Sequence, residues 1–134
     1  WIKGLDVFLE KAKTHNIPMA LGTAAIRFNV DFILDGLDIR KYFSSVVAAE
    51  DVSTSKPHPE TFLQCAAQMK VDPVQCIVFE DSPKGIETAM NAGMQAVVLT
   101  TMHTKEEFSQ FTNIICFIED YTDRQLDNLF ALNS

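Results

Sequence analysis

Two uninterrupted apolar runs, Cys76-Ile77-Val78-Phe79 and Ala96-Val97-Val98-Leu99, constrain this chain more than any other feature. Each is too short for a helix and lacks the alternation of a strand with one wet face. Each therefore predicts a strand covered on both faces, as in a parallel sheet. Such a sheet needs helices above and below it, and the remaining sequence provides them. Leu5, Phe8, Leu9 and Ala12 recur at helical spacing until Asn16-Ile17-Pro18 breaks the pattern ahead of the extended run Met19-Ala20-Leu21. Val30, Ile33, Leu34 and Leu37 mark a second amphipathic helix, followed by the short run Val46-Val47-Ala48-Ala49. Pro59 suits the first turn of a third, with Phe62, Ala66 and Met69 inward. Ser82 and Pro83 predict the cap and first position of a fourth, and Gly93 its stop. Thr104 with Glu107 and Thr122 with Gln125 have capping-box spacing, one on each side of a last strand at Ile114-Ile115-Cys116-Phe117. The whole predicts one α/β domain over residues 1–134, three layers deep, with a mostly parallel sheet and no linker or repeat.

A hydrophobic content of 47% over 134 residues is ample for one core. A net charge of -7 argues against a nonspecific grip on nucleic acid or an anionic membrane, although a local phosphate site is compatible with it. Cys65, Cys76 and Cys116 sit inside apolar segments and read as reduced core residues. There is no apolar run of membrane-spanning length, and the opening Trp1-Ile2-Lys3-Gly4 has no signal-peptide character, so the expected compartment is the cytoplasm.

In open parallel sheets chemistry gathers at the carboxyl ends of the strands, and three predicted strand ends carry polar groups. Gly22-Thr23-Ala24-Ala25 offers a hydroxyl and unobstructed amides to an anion; an ordinary turn with a Thr cap is the competing reading. Lys56-Pro57-His58-Pro59 presents a lysine on stiffened backbone, either facing a phosphate or solvated. Glu80-Asp81 places two adjacent carboxylates after an apolar strand, which calls for a hard divalent cation such as Mg²⁺; the alternative has Asp81 and Ser82 capping the next helix. Strand alternation makes Asp81 the better direct ligand, with Glu80 acting through water or from behind. His15, His58 and His103 have no zinc-like spacing and read as surface residues.

In order, Leu21-Gly22-Thr23-Ala24-Ala25, Lys56 through Phe62, and Val78-Phe79-Glu80-Asp81-Ser82-Pro83-Lys84-Gly85-Ile86 through Met94 resemble the second, third and fourth motifs of haloacid dehalogenase superfamily enzymes, especially the β-phosphoglucomutase-like subgroup. The resemblance implies a Rossmann-like core and a Mg²⁺-dependent phosphatase acting on a small phosphorylated metabolite through an aspartyl-phosphate. It implies that Thr23 and the Ala24 amide hold phosphoryl oxygens, that Lys56 balances charge, and that Glu80 and Asp81 hold the metal. The family's D-x-D nucleophile motif does not occur in this sequence. The expectation is therefore a core fragment without its central nucleophile strand, inactive alone. A sugar phosphomutase and a noncatalytic binding or regulatory domain are the alternatives. The strands ending at Thr23 and Asp81 would flank the missing strand. They are expected to pair directly, to accept another strand, or to self-associate through exposed edges.

Overall fold

The structure, a computed structural model, describes residues 2–131. Trp1, at the opening of the chain, lies outside them, as do residues 132–134. The elements run α1 (Leu5–Thr14), β1 (Ala20–Gly22), α2 (Arg27–Gly36), β2 (Ser45–Val47), α3 (Glu60–Met69), β3 (Ile77–Glu80), α4 (Pro83–Asn91), β4 (Gln95–Leu99), β5 (Ile114–Ile118) and α5 (Asp127–Ala131). Every strand pair among the described residues is parallel, as the apolar runs predict.

Local chemistry accounts for the element ends. Asn16 takes a left-handed φ of 57° just past α1, and Gly93 does the same at 77° just past α4. Ser82 Oγ accepts the Gly85 amide at 3.0 Å with Pro83 at the first helical position. Thr104 opens a 3-10 turn at Lys105–Phe108, its amide donating to Glu107 Oε2 at 2.8 Å. The second proposed box is displaced: Asp123, not Thr122, caps the 3-10 turn Arg124–Leu126, accepting the Gln125 amide at 2.9 Å. Thr122 is tied instead to Asp120, whose carboxylate accepts its amide at 2.8 Å.

β4 is the core strand. Ala96 and Val98 face Phe62 and Ala66 of α3 and Ile86 and Ala89 of α4, while Val97 and Leu99 face Leu126 and Leu129 at the C-terminal end and Phe8 of α1. Helices thus cover both faces of β3-β4-β5. A second cluster joins Leu9 of α1 with Val30 and Leu34 of α2 and with Leu21 and Val46. In α2 only Val30 and Leu34 are buried; Ile33 and Leu37 lie outside, 53% and 45% exposed, so the inward stripe is narrower than the spacing predicts. On α3, Thr61 and Cys65 join Phe62 and Ala66 inside, while Met69 is half-buried.

The strands form two sheets, β1-β2 and β3-β4-β5. Direct pairing of β1 with β3 is therefore not found: β1 hydrogen-bonds to β2 and β3 to β4, and neither bonds to the other. Both are half-buried along their length, so the burial on both faces expected of β3 is not met, whereas β4 is buried from Ala96 to Leu99. Two helices bridge the sheets and set their separation. Leu9 of α1 packs in the cluster around β1, and Phe8 on the same helix packs at a tilt against Phe79 of β3, ring centroids 5.1 Å apart. Phe62 of α3 lies against Gly22 and also in the cluster around β4. Side chains packed at near-crystalline density resist the shift that closure would need.

Candidate functional site

The three polar segments converge on the first turn of α3, although Lys56 does not end a strand as expected: β2 stops at Val47, and the lysine stands on the strap between the 3-10 turn Ala49–Asp51 and α3. Gly22, last in β1, lies so close to this helix that an added Cβ would stand 3.0 Å from Thr61 Cγ2 and 3.1 Å from Phe62 Cδ1. The Lys56 ammonium sits 4.7 Å from the centroid of the same Phe62 ring, a cation–π contact. From there Lys56 Nζ donates to Glu80 Oε1 at 2.8 Å. Phe62 and Lys56 therefore link the end of β1 to the end of β3.

The Lys56–Glu80 pair is the most enclosed ion pair among the described residues, its side chains 12% and 17% exposed. Glu80 Oε2 accepts the Asp81 amide at 3.1 Å, so both carboxylate oxygens are engaged. The Asp81 carboxylate has no hydrogen-bond or ion-pair partner among the described residues. Ser82 takes the capping role and leaves Asp81 free for something else. Burial pushes the neighbouring Tyr121 phenol up to about 12, with the negative charges of Glu80 and Asp81 adding to it. Tyr121 stacks on Phe79 at 5.7 Å, forming an apolar wall beside the two acids.

On the β1 side, the Thr23 amide donates to Val47 O at 2.9 Å, and Thr23 Oγ1 accepts the Ala25 amide at 3.0 Å. A hydroxyl used as an acceptor by its own turn keeps its proton for an outside acceptor. No acceptor among the described residues takes the Ala24 amide. Thr23 and Ala24 thus present two donors past the end of β1.

Supports that the motifs do not reveal hold these loops. Glu60 accepts the amides of Ser53 and Thr54 at 2.9 and 3.2 Å, fixing the strap that leads into Lys56. Arg27 forms an ion pair with Asp51 and its amide donates to Glu50 Oε1 at 2.8 Å, tying the loop after β1 to the loop after β2. Asn91 Nδ2 donates to Pro57 O at 2.9 Å, fastening α4 to the same strap. No motif or spacing in the sequence marks the first two, which join residues distant along the chain. The three histidines stay apart: His58 accepts the Glu60 amide at 3.2 Å, His15 lies against Phe130 and His103 against Glu107. Cys65, Cys76 and Cys116 are free thiols, and only Cys65 is fully buried, its thiol pushed up to about 11 by that burial. No helix among the described residues is long and apolar enough to cross a membrane.

The hydrogen bonds of Glu60 carry a pH prediction. The Ser53 amide and hydroxyl, together with burial-opposing donors from Thr54 and Gln64, hold its carboxyl below the ordinary 4.5. A depressed folded value contributes stability that is present above 4.5 and lost as pH falls through the lower folded value. Amide resonances of Ser53 and Thr54 should shift together in that acid range and lose the shift in Glu60→Gln.

A parallel α/β domain whose polar strand ends gather around one lysine and two carboxylates defines the class. The chain belongs to the haloacid dehalogenase-like hydrolase family, whose sequence profile matches residues 1–99. It is similar to fructose-1-phosphate phosphatase YqaB of Escherichia coli, 50% identical over 80 residues, covering 60% of this chain and 43% of that protein. It is also similar to the phosphorylated carbohydrates phosphatase of Thermotoga maritima, 35% identical over 94 residues, covering 70% of this chain and 44% of that one. The putative β-phosphoglucomutase structure from T. maritima superposes with a TM-score of 0.85 at 26% identity, over 95% of this chain and 59% of that one. The chain spans less than half the length of these curated relatives.

Proposed function

We propose that this chain supplies the phosphate-gripping and charge-balancing part of a phosphatase site for small phosphorylated metabolites. The observation that carries the proposal is the enclosed Lys56–Glu80 pair, which adjoins the unpartnered Asp81 on one side and, through the Phe62 ring, Gly22 at the base of the Thr23 turn on the other. In this reading Thr23 Oγ1 and the Ala24 amide donate to phosphoryl oxygens, and Lys56 offsets the charge that collects as the phosphoryl group transfers. The donor set at β3 fits Mg²⁺, since Asp81 and Glu80 offer only hard carboxylate oxygens and Asp81 is unpaired. Asp81 would bind the ion directly, and Glu80, already engaged by Lys56, would act behind it. Bound there, the ion would neutralise phosphoryl charge.

The sequence has no D-x-D, so in this reading the attacking carboxylate comes from outside the 134 residues. A strand carrying it would find hydrogen-bonding edges on β1 and β3. A phosphomutase is the second reading, favoured by the likeness to the β-phosphoglucomutase structure. The names of the curated relatives favour hydrolysis of sugar phosphates.

A chimera tests this. Residues of this chain replace the 80 aligned residues of the E. coli fructose-1-phosphate phosphatase. The chimera is expected to hydrolyse fructose 1-phosphate with Mg²⁺, whereas the 134-residue chain alone shows no turnover. A folded but inactive chimera would favour a noncatalytic domain. Mg²⁺-dependent turnover by the pure chain, abolished by Asp81→Asn, would place the nucleophile within it.

A further inference from the structure

Gly85 has no backbone reason to be glycine. It sits in the first turn of α4, outside the left-handed region in which Gly4 and Gly93 lie. Helix propensity at such a position favours alanine. What excludes a side chain is Glu80: a Cβ on Gly85 would stand 2.2 Å from Glu80 Cδ, 2.5 Å from Oε1 and 2.6 Å from Cγ. The crowded atoms are the carboxylate group itself. Its two oxygens are committed, one to Lys56 Nζ at 2.8 Å and one to the Asp81 amide at 3.1 Å, so no small rotation clears the space and keeps both bonds. The Gly85 amide is pinned in turn by Ser82 Oγ at 3.0 Å, which stops the helix from backing away.

We propose that Gly85 is a positioning residue: its missing Cβ lets Glu80 fold over the first turn of α4 and hold the Lys56 ammonium between β3 and the Phe62 ring. Its importance for turnover rests on the phosphate reading above, but the positioning itself does not. Glu80 then acts on the site chiefly through Lys56, and Gly85 through Glu80.

The test reads Lys56 directly, as its rate of acylation by an N-hydroxysuccinimide ester followed by peptide mass spectrometry. Gly85→Ala is expected to raise that rate about fivefold or more by freeing the ammonium from its partner, and to lower the melting temperature. Gly36→Ala, where an added Cβ meets nothing within 4 Å, should change neither in that direction. In a Glu80→Ala background the Gly85→Ala change should have no further effect on Lys56 and should no longer destabilise, a coupling that a merely structural glycine would not show. If Gly85→Ala does not fold, folding of the Glu80→Ala/Gly85→Ala pair supports the proposal, and its failure overturns it. A wild-type Lys56 rate in folded Gly85→Ala also overturns it. Protection of Lys56 by inorganic phosphate with Mg²⁺ is scored separately on the wild-type chain; its absence would count against the phosphate reading and leave the Gly85 result standing.

Discussion

Asp81→Asn in the active chimera should lower kcat/KM by about 10²–10³-fold while leaving the melting temperature unchanged or raised. The two halves of that expectation come from one feature. Asp81 has no hydrogen-bond or ion-pair partner among the described residues, so the fold loses no bond when its charge is removed. Its charge lies next to Glu80 and near the half-buried Tyr121, whose phenol the two carboxylates help to push up. A carboxylate that no group among the described residues engages is what a cation would use. Steady-state kinetics beside a thermal melt checks both halves. A large drop in stability, or activity within about threefold of the parent, would move Asp81 from the chemistry to the scaffold.

Lys56→Met should show the opposite balance, with a heavy penalty in stability as well as in activity. Methionine keeps a straight stem against Phe62 but removes the ammonium, leaving Glu80 charged at 17% exposure with only the Asp81 amide on it. Stranding one member of an enclosed pair costs about 3 kcal/mol, a large share of the stability of a domain this size. Adding Glu80→Gln should return most of the loss, because a neutral amide tolerates the same environment. Urea unfolding of the two variants measures the difference. A Lys56→Met loss under about 0.5 kcal/mol would mean that the pair behaves as an exposed salt bridge.

The legible parts of the fold were those fixed by neighbours along the chain. Ala96-Val97-Val98-Leu99 is the buried strand its composition predicts, and Ser82-Pro83 with Gly93 bracket a helix as their backbone preferences require. Cys76 through Phe79 has the same apolar character, yet the strand it feeds, Ile77–Glu80, is half-buried, since apolar sequence states a preference for cover and not whether a neighbouring strand supplies it. Phe28 and Phe32 on α2 stand 76% and 75% exposed for a similar reason: periodicity identifies a helix but not how far its apolar sector is covered.

In the candidate site, Thr23, Glu80 and Asp81 were legible because strand ends carry them, and Lys56, on the strap ahead of α3, because the family motif includes it. The supports were invisible because they are tertiary. Nothing in the spacing of Glu60 reveals that it folds back onto the amides of Ser53 and Thr54, nor of Arg27 that it reaches Asp51. The crowding at Gly85 comes from a side chain five residues earlier that is itself hydrogen-bonded to Lys56, a contact equally tertiary.

In the proposed phosphatase site the turn after β1, the Lys56 strap and the end of β3 act together. Titrating the chain with inorganic phosphate in the presence of Mg²⁺, while following the amides of Thr23, Ala24 and Asp81 and the Lys56 side chain by NMR, tests it most directly. All four should move along a single saturation curve, and Asp81→Asn should remove the Mg²⁺ dependence from every one of them. Separate curves for the Thr23 turn and for Lys56 with Asp81, or no response at the Thr23 turn at saturating phosphate, would contradict it.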